Sequence, residues 1–347
     1  MTPRRWVSRV RVLAAPALVV VAVAACSSAR TSDAALDSLE LLPQPPTTPA
    51  VTDAEAPEPP SAAEAACEAE GPTASYRPDP APLPSPDELP EGTAMREIQE
   101  RGRLIVGVDE NTKGFSYRSQ STGEIEGFEV DIAYEIAKRI FGPLDRDIIL
   151  QTKPVITDEK TKVVEENDVD LTVSAITMNC DRWADVAFSS EYYTAVQQFL
   201  VREGSGIETA ADLAGKKVCV TAGSSSIGLL EDHLPEAERH EVGARTDCLR
   251  ALQEGDVDAY FGHDSFLYGM RPQDLTVEVK DGIIPETETR SNYGIAISHD
   301  RPELVRFVNA VLEELRVDGT WGELHDQLET ELGIPDADPP PANYREG

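Results

Sequence analysis

The stretch Leu104-Ile-Val-Gly-Val-Asp109, followed by the stripe Phe128, Ile132, Ile136 and Ile140, decides the fold. The first is a short apolar run ending on a carboxylate, which reads as a buried strand. The second repeats every four residues, as the inward face of a helix does. Beyond this βα unit, 148–155 and 169–176 read as strands separated by a polar helix near 158–166. From Phe188 an extended stretch runs through Tyr192, Tyr193 and Phe199 to Val201 with no helical partner. A second series opens at Lys217-Val-Cys-Val-Thr221 and continues through helices near 225–233 and 247–254 to a strand at 257–262. The chain returns through Tyr293-Gly-Ile-Ala-Ile297 and finishes with helices near 301–317 and 320–331. Alternating βα units predict doubly wound parallel sheets. Two series with two extended crossings predict an α/β molecule of two doubly wound lobes and a hinge. One lobe takes 95–201 and 290–335, the other 202–289.

The flanks have a different composition. Arg4, Arg5, Arg9 and Arg11 precede an apolar run over 13–25. That run falls short of the roughly 20 residues a spanning helix needs, so 1–25 reads as a signal peptide. Val23-Ala24-Ala25-Cys26, followed by Ser27 and Ser28, resembles a bacterial lipobox. The resemblance implies lipidation of Cys26, leaving it as the first residue. Two acyl chains, each contributing about 0.8 kcal/mol per buried methylene, hold a protein stably on a membrane. Residues 27–92 contain 14 of the 26 prolines and almost no large apolar groups, too little to fold alone. We therefore expect a lipidated tether over 26–94 and a Pro-rich tail over 336–347.

With 31 basic and 63 acidic residues the chain carries a net charge of −32, which excludes nucleic acid as a partner. The same charge repels an anionic membrane surface, so attachment falls to the lipid.

In doubly wound sheets ligands bind beyond the carboxyl ends of the strands, here the loops 109–117, 175–182, 221–226 and 263–265. Arg182 offers a planar fork for a carboxylate and Thr177 a hydroxyl. Thr221-Ala-Gly-Ser-Ser-Ser226 lies between a strand and a helix start, where free N–H groups favour an anion. Asp264 could take an ammonium. Singly, a loop arginine is ordinarily a solvated ion pair and a Ser-rich turn a helix cap; together these groups describe a site for a zwitterion. Micromolar affinity needs about 8 kcal/mol, and one charged hydrogen bond supplies about 1.5–3, so several must converge.

Arg103-Leu-Ile-Val-Gly-Val-Asp109, Gly127-Phe-Glu-Val-Asp-Ile-Ala133, the run from Thr177 to Arg182, Ala187-Phe-Ser-Ser190 with Tyr192-Tyr193, and Asn292-Tyr-Gly-Ile-Ala296 resemble family 3 extracellular solute-binding proteins. The resemblance is closest to glutamine/glutamate-binding lipoproteins of high-GC Gram-positive bacteria. It implies a type II periplasmic-binding-protein fold and a receptor for a polar amino acid of the glutamine, glutamate, asparagine or aspartate class. By position, Thr177 and Arg182 would hold the α-carboxylate, helped by Ser225 and the amides around Gly223. The carbonyl of Ala175 and the carboxylate of Asp264 would take the α-ammonium, and Asp109 would accept an amide N–H from the ligand side chain. Thr221 and Ser224 are further candidates.

The chain also departs from the family pattern. Thr112 stands where an aromatic commonly stacks on the ligand, and Phe115 could substitute. Asp158-Glu-Lys-Thr-Lys-Val163 replaces the usual apolar and proline residues. Lys113 reads first as a surface lysine, but beside Asp109 it could accept a side-chain carboxylate.

Four cysteines remain after Cys26, and exported proteins form disulfides; three pairings are possible. Cys219 and Cys248 share the second lobe and are paired here, which leaves Cys67 with Cys180. No CxxC or Cys/His spacing suggests a metal, and no cofactor is expected. Gly223-Ser-Ser-Ser-Ile227 lacks the second glycine of a nucleophile elbow, and His263 beside Asp264 is the single pair resembling an acid or base, so catalysis is not expected. The reading is a monomeric receptor on the outer face of the cell membrane, feeding an ABC permease. A membrane sensor protein is the alternative partner.

Overall fold

Leu104–Val108 forms a strand with Leu104, Val106 and Val108 fully buried. The computed structural model describes residues 62–79 and 81–345. The expected leader, Cys26 and the Pro-rich stretch through residue 61 lie outside the described residues. Among the described residues no helix is long and apolar enough to cross a membrane.

Leu104–Val108 pairs in parallel with Leu150–Pro154 on one side and Leu171–Thr172 on the other. A Cβ on Gly107 would sit 2.7 Å from Thr172 Oγ1, so this close approach requires glycine. Ala296–Ile297 pairs antiparallel with Leu171–Thr172, and Ala187–Phe188 pairs antiparallel with Ala296–Ile297 to complete the sheet. The helix Phe128–Phe141 buries its predicted stripe in the same core as the helices Pro302–Asp318 and Thr320–Leu332. A small antiparallel sheet of Asn111–Thr112, Ser116–Arg118 and Ile125–Glu126 has no counterpart in the sequence reading.

The second lobe orders its strands Glu238–Val242, Lys217–Thr221, Ala259–His263, Tyr193–Arg202 and Val277–Lys280. Alternate residues supply two separate cores, Cys219 and Tyr260 to one and Val218, Val220, Ala259 and Phe261 to the other. The sheet is therefore buried on both faces, as the apolar runs of a doubly wound fold demand.

Tyr193–Arg202 first pairs antiparallel with Arg290–Tyr293 over residues 193–196, and from Gln197 onward with Ala259–His263. The crossing between lobes thus lies at 193–197, and the second lobe begins before the expected residue 202. A strand that continues unbroken from one lobe into the other carries no local mark of the boundary.

Both expected disulfides form, Cys219–Cys248 with Cα atoms 5.6 Å apart and Cys67–Cys180 with 5.4 Å. The second belongs to a larger departure. From Ala62 the expected tether is part of the first lobe: Ala62–Glu70 is a helix against Cys180–Asp185, and Trp183 Nε1 donates to Pro72 O at 2.8 Å. Leu89 and Ala94 enter the main core. The expected tail packs as well. Ser75 N–H donates to Asn343 O, Arg345 N–H donates to Ser75 O, and the Arg345 guanidinium lies 4.0 Å from the centroid of the Trp183 ring. A segment too polar to make a core can still lie on one already formed. The expected polar helix near 158–166 reduces to Thr157–Glu159 and the single turn Lys162–Glu165.

Replacing both Cys67 and Cys180 by serine is expected to lower the unfolding free energy by about 2–4 kcal/mol, read as an earlier urea midpoint. An unchanged midpoint would mean that residues 62–93 do not unfold with the lobe.

Candidate functional site

The two lobes meet around a cavity of about 20 Å³ lined by Thr157, Lys160, Ala175, Ile176, Thr177, Arg182, Thr221, Ser224, Ser225, Ser226, Arg245, His263 and Phe266. That volume has room for about one water, too little for an organic ligand in this arrangement of the lobes.

Arg182 is positioned by its own short helix. Asn179 caps Cys180–Asp185 by accepting from Arg182 N–H at 2.9 Å. The guanidinium then donates from Nη1 to Thr177 O at 2.7 Å and from Nη2 to Gly223 O in the opposite lobe at 2.9 Å. Withdrawal from water lowers its pKa to about 10, against the opposing pull of Asp181. Thr177 Oγ1 lies 3.1 Å from Ser225 Oγ, another contact between lobes. Gly223 has φ +70°, and a Cβ there would stand 2.8 Å from Asp158 Cα. Only glycine lets the Ser-rich turn come this close. Ser224 Oγ is buried with no hydrogen-bond partner among the described residues, and Thr221 Oγ1 meets Tyr260 OH at 3.2 Å. Ala175 is held at φ +47°, its N–H donating to Glu129 Oε1 at 2.5 Å. A non-glycine residue in that region stores strain that its surroundings must hold.

Five expected site residues lie elsewhere. Asp109 is buried behind the cavity wall, accepting from Asn111 N–H at 2.7 Å and lying 3.1 Å from Arg245 Nη1. Gly223 contributes its carbonyl to Arg182 without lining the cavity. Asp264 accepts from the N–H groups of Val196 and Ser265 at 3.1 and 2.6 Å, beside the hinge. Burial raises its carboxyl to about 7, the two N–H groups opposing and Glu286 adding to the rise. Phe115 is fully buried, edge-on to Tyr193 at 4.9 Å and Phe128 at 5.8 Å; it is a core residue under the hinge. Lys113 presents its carbonyl to Gly269, 2.7 Å from where a Cβ would be, and does not line the cavity.

Two cations arrive that sequence reasoning missed. Lys160 is 3% exposed, and its Nζ donates to Ser174 O at 2.5 Å. Burial, reinforced by Arg245, holds this ammonium well below its usual pKa. Arg245 is buried, bonds Thr112 Oγ1 at 2.5 Å and stacks its guanidinium 4.5 Å from the Phe266 ring centroid. His263 joins Tyr293 OH at 2.5 Å through Nδ1 and lies 3.3 Å from Ser225 Oγ through Nε2. Burial and then Arg245, Lys160 and Arg182 drive its pKa well down, so it stays neutral. For Lys160 the one available signal was the departure from the family pattern over 158–163, where apolar and proline residues are usual; Arg245 gave none.

Two βα lobes closing on a cationic, hydroxyl-rich cavity across paired hinge strands have the architecture of a receptor for small solutes. Residues 104–328 match the bacterial extracellular solute-binding proteins, family 3, and the chain belongs to that family. It is 31% identical over 232 residues to the ABC transporter glutamine-binding protein GlnH of Bacillus subtilis, covering 67% of this chain and 82% of that protein. It is 28% identical over 250 residues to the glutamate-binding protein GluB of Corynebacterium glutamicum, covering 68% and 83%. A crystal structure of a mutant of ArgBP from T. maritima superposes with a TM-score of 0.61 at 26% identity, covering 70% of this chain and all of that one. The fold is that of the type II periplasmic binding proteins.

Asp264 provides a pH test. Its folded pKa of about 7 lies above the ordinary value near 3.9, so its contribution to stability is full in acid and is lost as pH rises to about 7. Asp264→Asn keeps the two accepted bonds and should remove up to about 4 kcal/mol of the stability difference between about pH 4 and pH 8. Urea unfolding at both pH values measures this; an equal pH dependence in both proteins would contradict the placement.

Proposed function

We propose that this chain is a lipid-anchored extracellular receptor that captures a polar amino acid of the glutamine, glutamate, asparagine or aspartate class and delivers it to an ABC importer. The observation that carries the reading is Arg182, which spans both lobes on two carbonyl oxygens and has no carboxylate partner among the described residues. A ligand α-carboxylate would replace those weaker acceptors with a bidentate, charge-assisted pair. The hydroxyls of Thr177 and Ser225, already joined across the cleft, would complete that subsite. The carbonyl of Ala175 and the carboxylate of Asp264 are the acceptors for the α-ammonium once the lobes rearrange.

A binding rather than catalytic role is supported by His263, the one suspected acid or base, having both ring nitrogens engaged, Nδ1 with Tyr293 OH and Nε2 with Ser225 Oγ. The names of the relatives point the same way. Cys26 would fix the chain to the membrane through its lipid.

Thermal-shift screening of the twenty amino acids on the chain from residue 27 should give a stabilising ligand, since bound ligand adds RT ln(1 + [L]/Kd). Arg182→Ala should then bind that ligand roughly a hundredfold more weakly while melting within a few degrees of the parent. Calorimetry showing undiminished affinity would remove Arg182 from the carboxylate subsite.

A further inference from the structure

Three cations surround the cavity, and their partners differ. Arg245 has a carboxylate, Asp109, at 3.1 Å. Arg182 rests on two carbonyls, from Thr177 and Gly223. Lys160 makes a single hydrogen bond among the described residues, to Ser174 O at 2.5 Å, and is 3% exposed. Among the described residues neither Arg182 nor Lys160 forms an ion pair, although both line the same cavity.

An ammonium taken from water is strongly disfavoured unless an anion or a full set of acceptors meets it. The two carboxylates that act on Lys160 electrostatically from within the fold, Asp109 and Glu129, are already committed. Asp109 serves Arg245 and Asn111 N–H. Glu129 accepts from Ser116 Oγ, Ala175 N–H and Tyr192 OH. Arg245 cannot swing away to relieve the crowding, because Thr112, Asp109 and the Phe266 ring hold it. A ligand with one carboxylate would answer Arg182 and leave Lys160 unmet. A ligand with two would answer both.

We infer that Lys160 determines specificity by receiving a second, side-chain carboxylate, so that the receptor selects acidic amino acids over their amides. This rests on the amino-acid receptor reading and narrows it. Lys113, the lysine closest in sequence to Asp109, does not reach the cavity.

The test is isothermal titration of the chain from residue 27 with L-glutamate, L-aspartate, L-glutamine and L-asparagine, in the parent and in Lys160→Met and Lys160→Gln. The parent should bind at least one acid about tenfold or more tighter than its amide, since a buried charged bond is at stake. Both variants should lose that preference, the acid weakening by roughly thirtyfold and the amide by less than about threefold. A purely structural lysine would weaken acid and amide alike, and that result overturns the inference. So does a parent that prefers the amides, which needs no variant to fold and leaves the receptor reading intact. Binding of none of the four, or of any other amino acid, overturns the receptor reading as well.

Discussion

A guanidinium withdrawn from water must be met by fixed oxygens, and Arg182 is met by one carbonyl from each lobe. That requirement organises the cleft. It brings the turn at Gly223 against Asp158, which forbids any side chain there, and it sets Ser225 opposite Thr177. Carbonyl dipoles are weaker acceptors than a carboxylate, so the closed arrangement is satisfied but replaceable. A receptor has to release as well as hold. Contacts of this kind let the lobes part without abandoning a strong ion pair at the binding position itself, while Arg245 and Asp109 make a stronger connection between lobes to one side.

The βα framework was legible because its signals are local and periodic. The run at 104–108 and the stripe from Phe128 to Ile140 could be nothing but an inward-facing strand and helix, and both are buried as read. Thr177, Arg182, Thr221, Ser224 and Ser225 were reachable by one rule, that ligands sit beyond the carboxyl ends of strands, and they do line one cavity.

What escaped reading depends on distant partners. Lys160 belongs to a polar segment indistinguishable by pattern from a solvated turn. It is held by Ser174 O and lines the cavity with Arg245 of the opposing lobe. Arg245 begins the helix Arg245–Glu254, away from the loops the rule singles out, and is held at the cavity by Asp109, Thr112 and the Phe266 ring. Phe115 misled for the opposite reason: an aromatic near the ligand loops was needed under the hinge. The strap over 62–93 has too few apolar residues to signal a fold, and the surface receiving it is built from residues some hundred positions later.

That strap separates two units that usually coincide. The stretch recognisable by likeness to relatives runs from 104 to 328, yet the helix carrying Arg182 is covalently held at Cys180 by Cys67 and roofed at Trp183 by Arg345. Both braces come from outside the recognisable stretch. A transplant of the shared core onto another scaffold would carry every cavity-lining residue and leave behind the frame that aims one of them. Segments from the two chain ends are thus part of the instrument, and a change in either could retune ligand capture with none in the pocket.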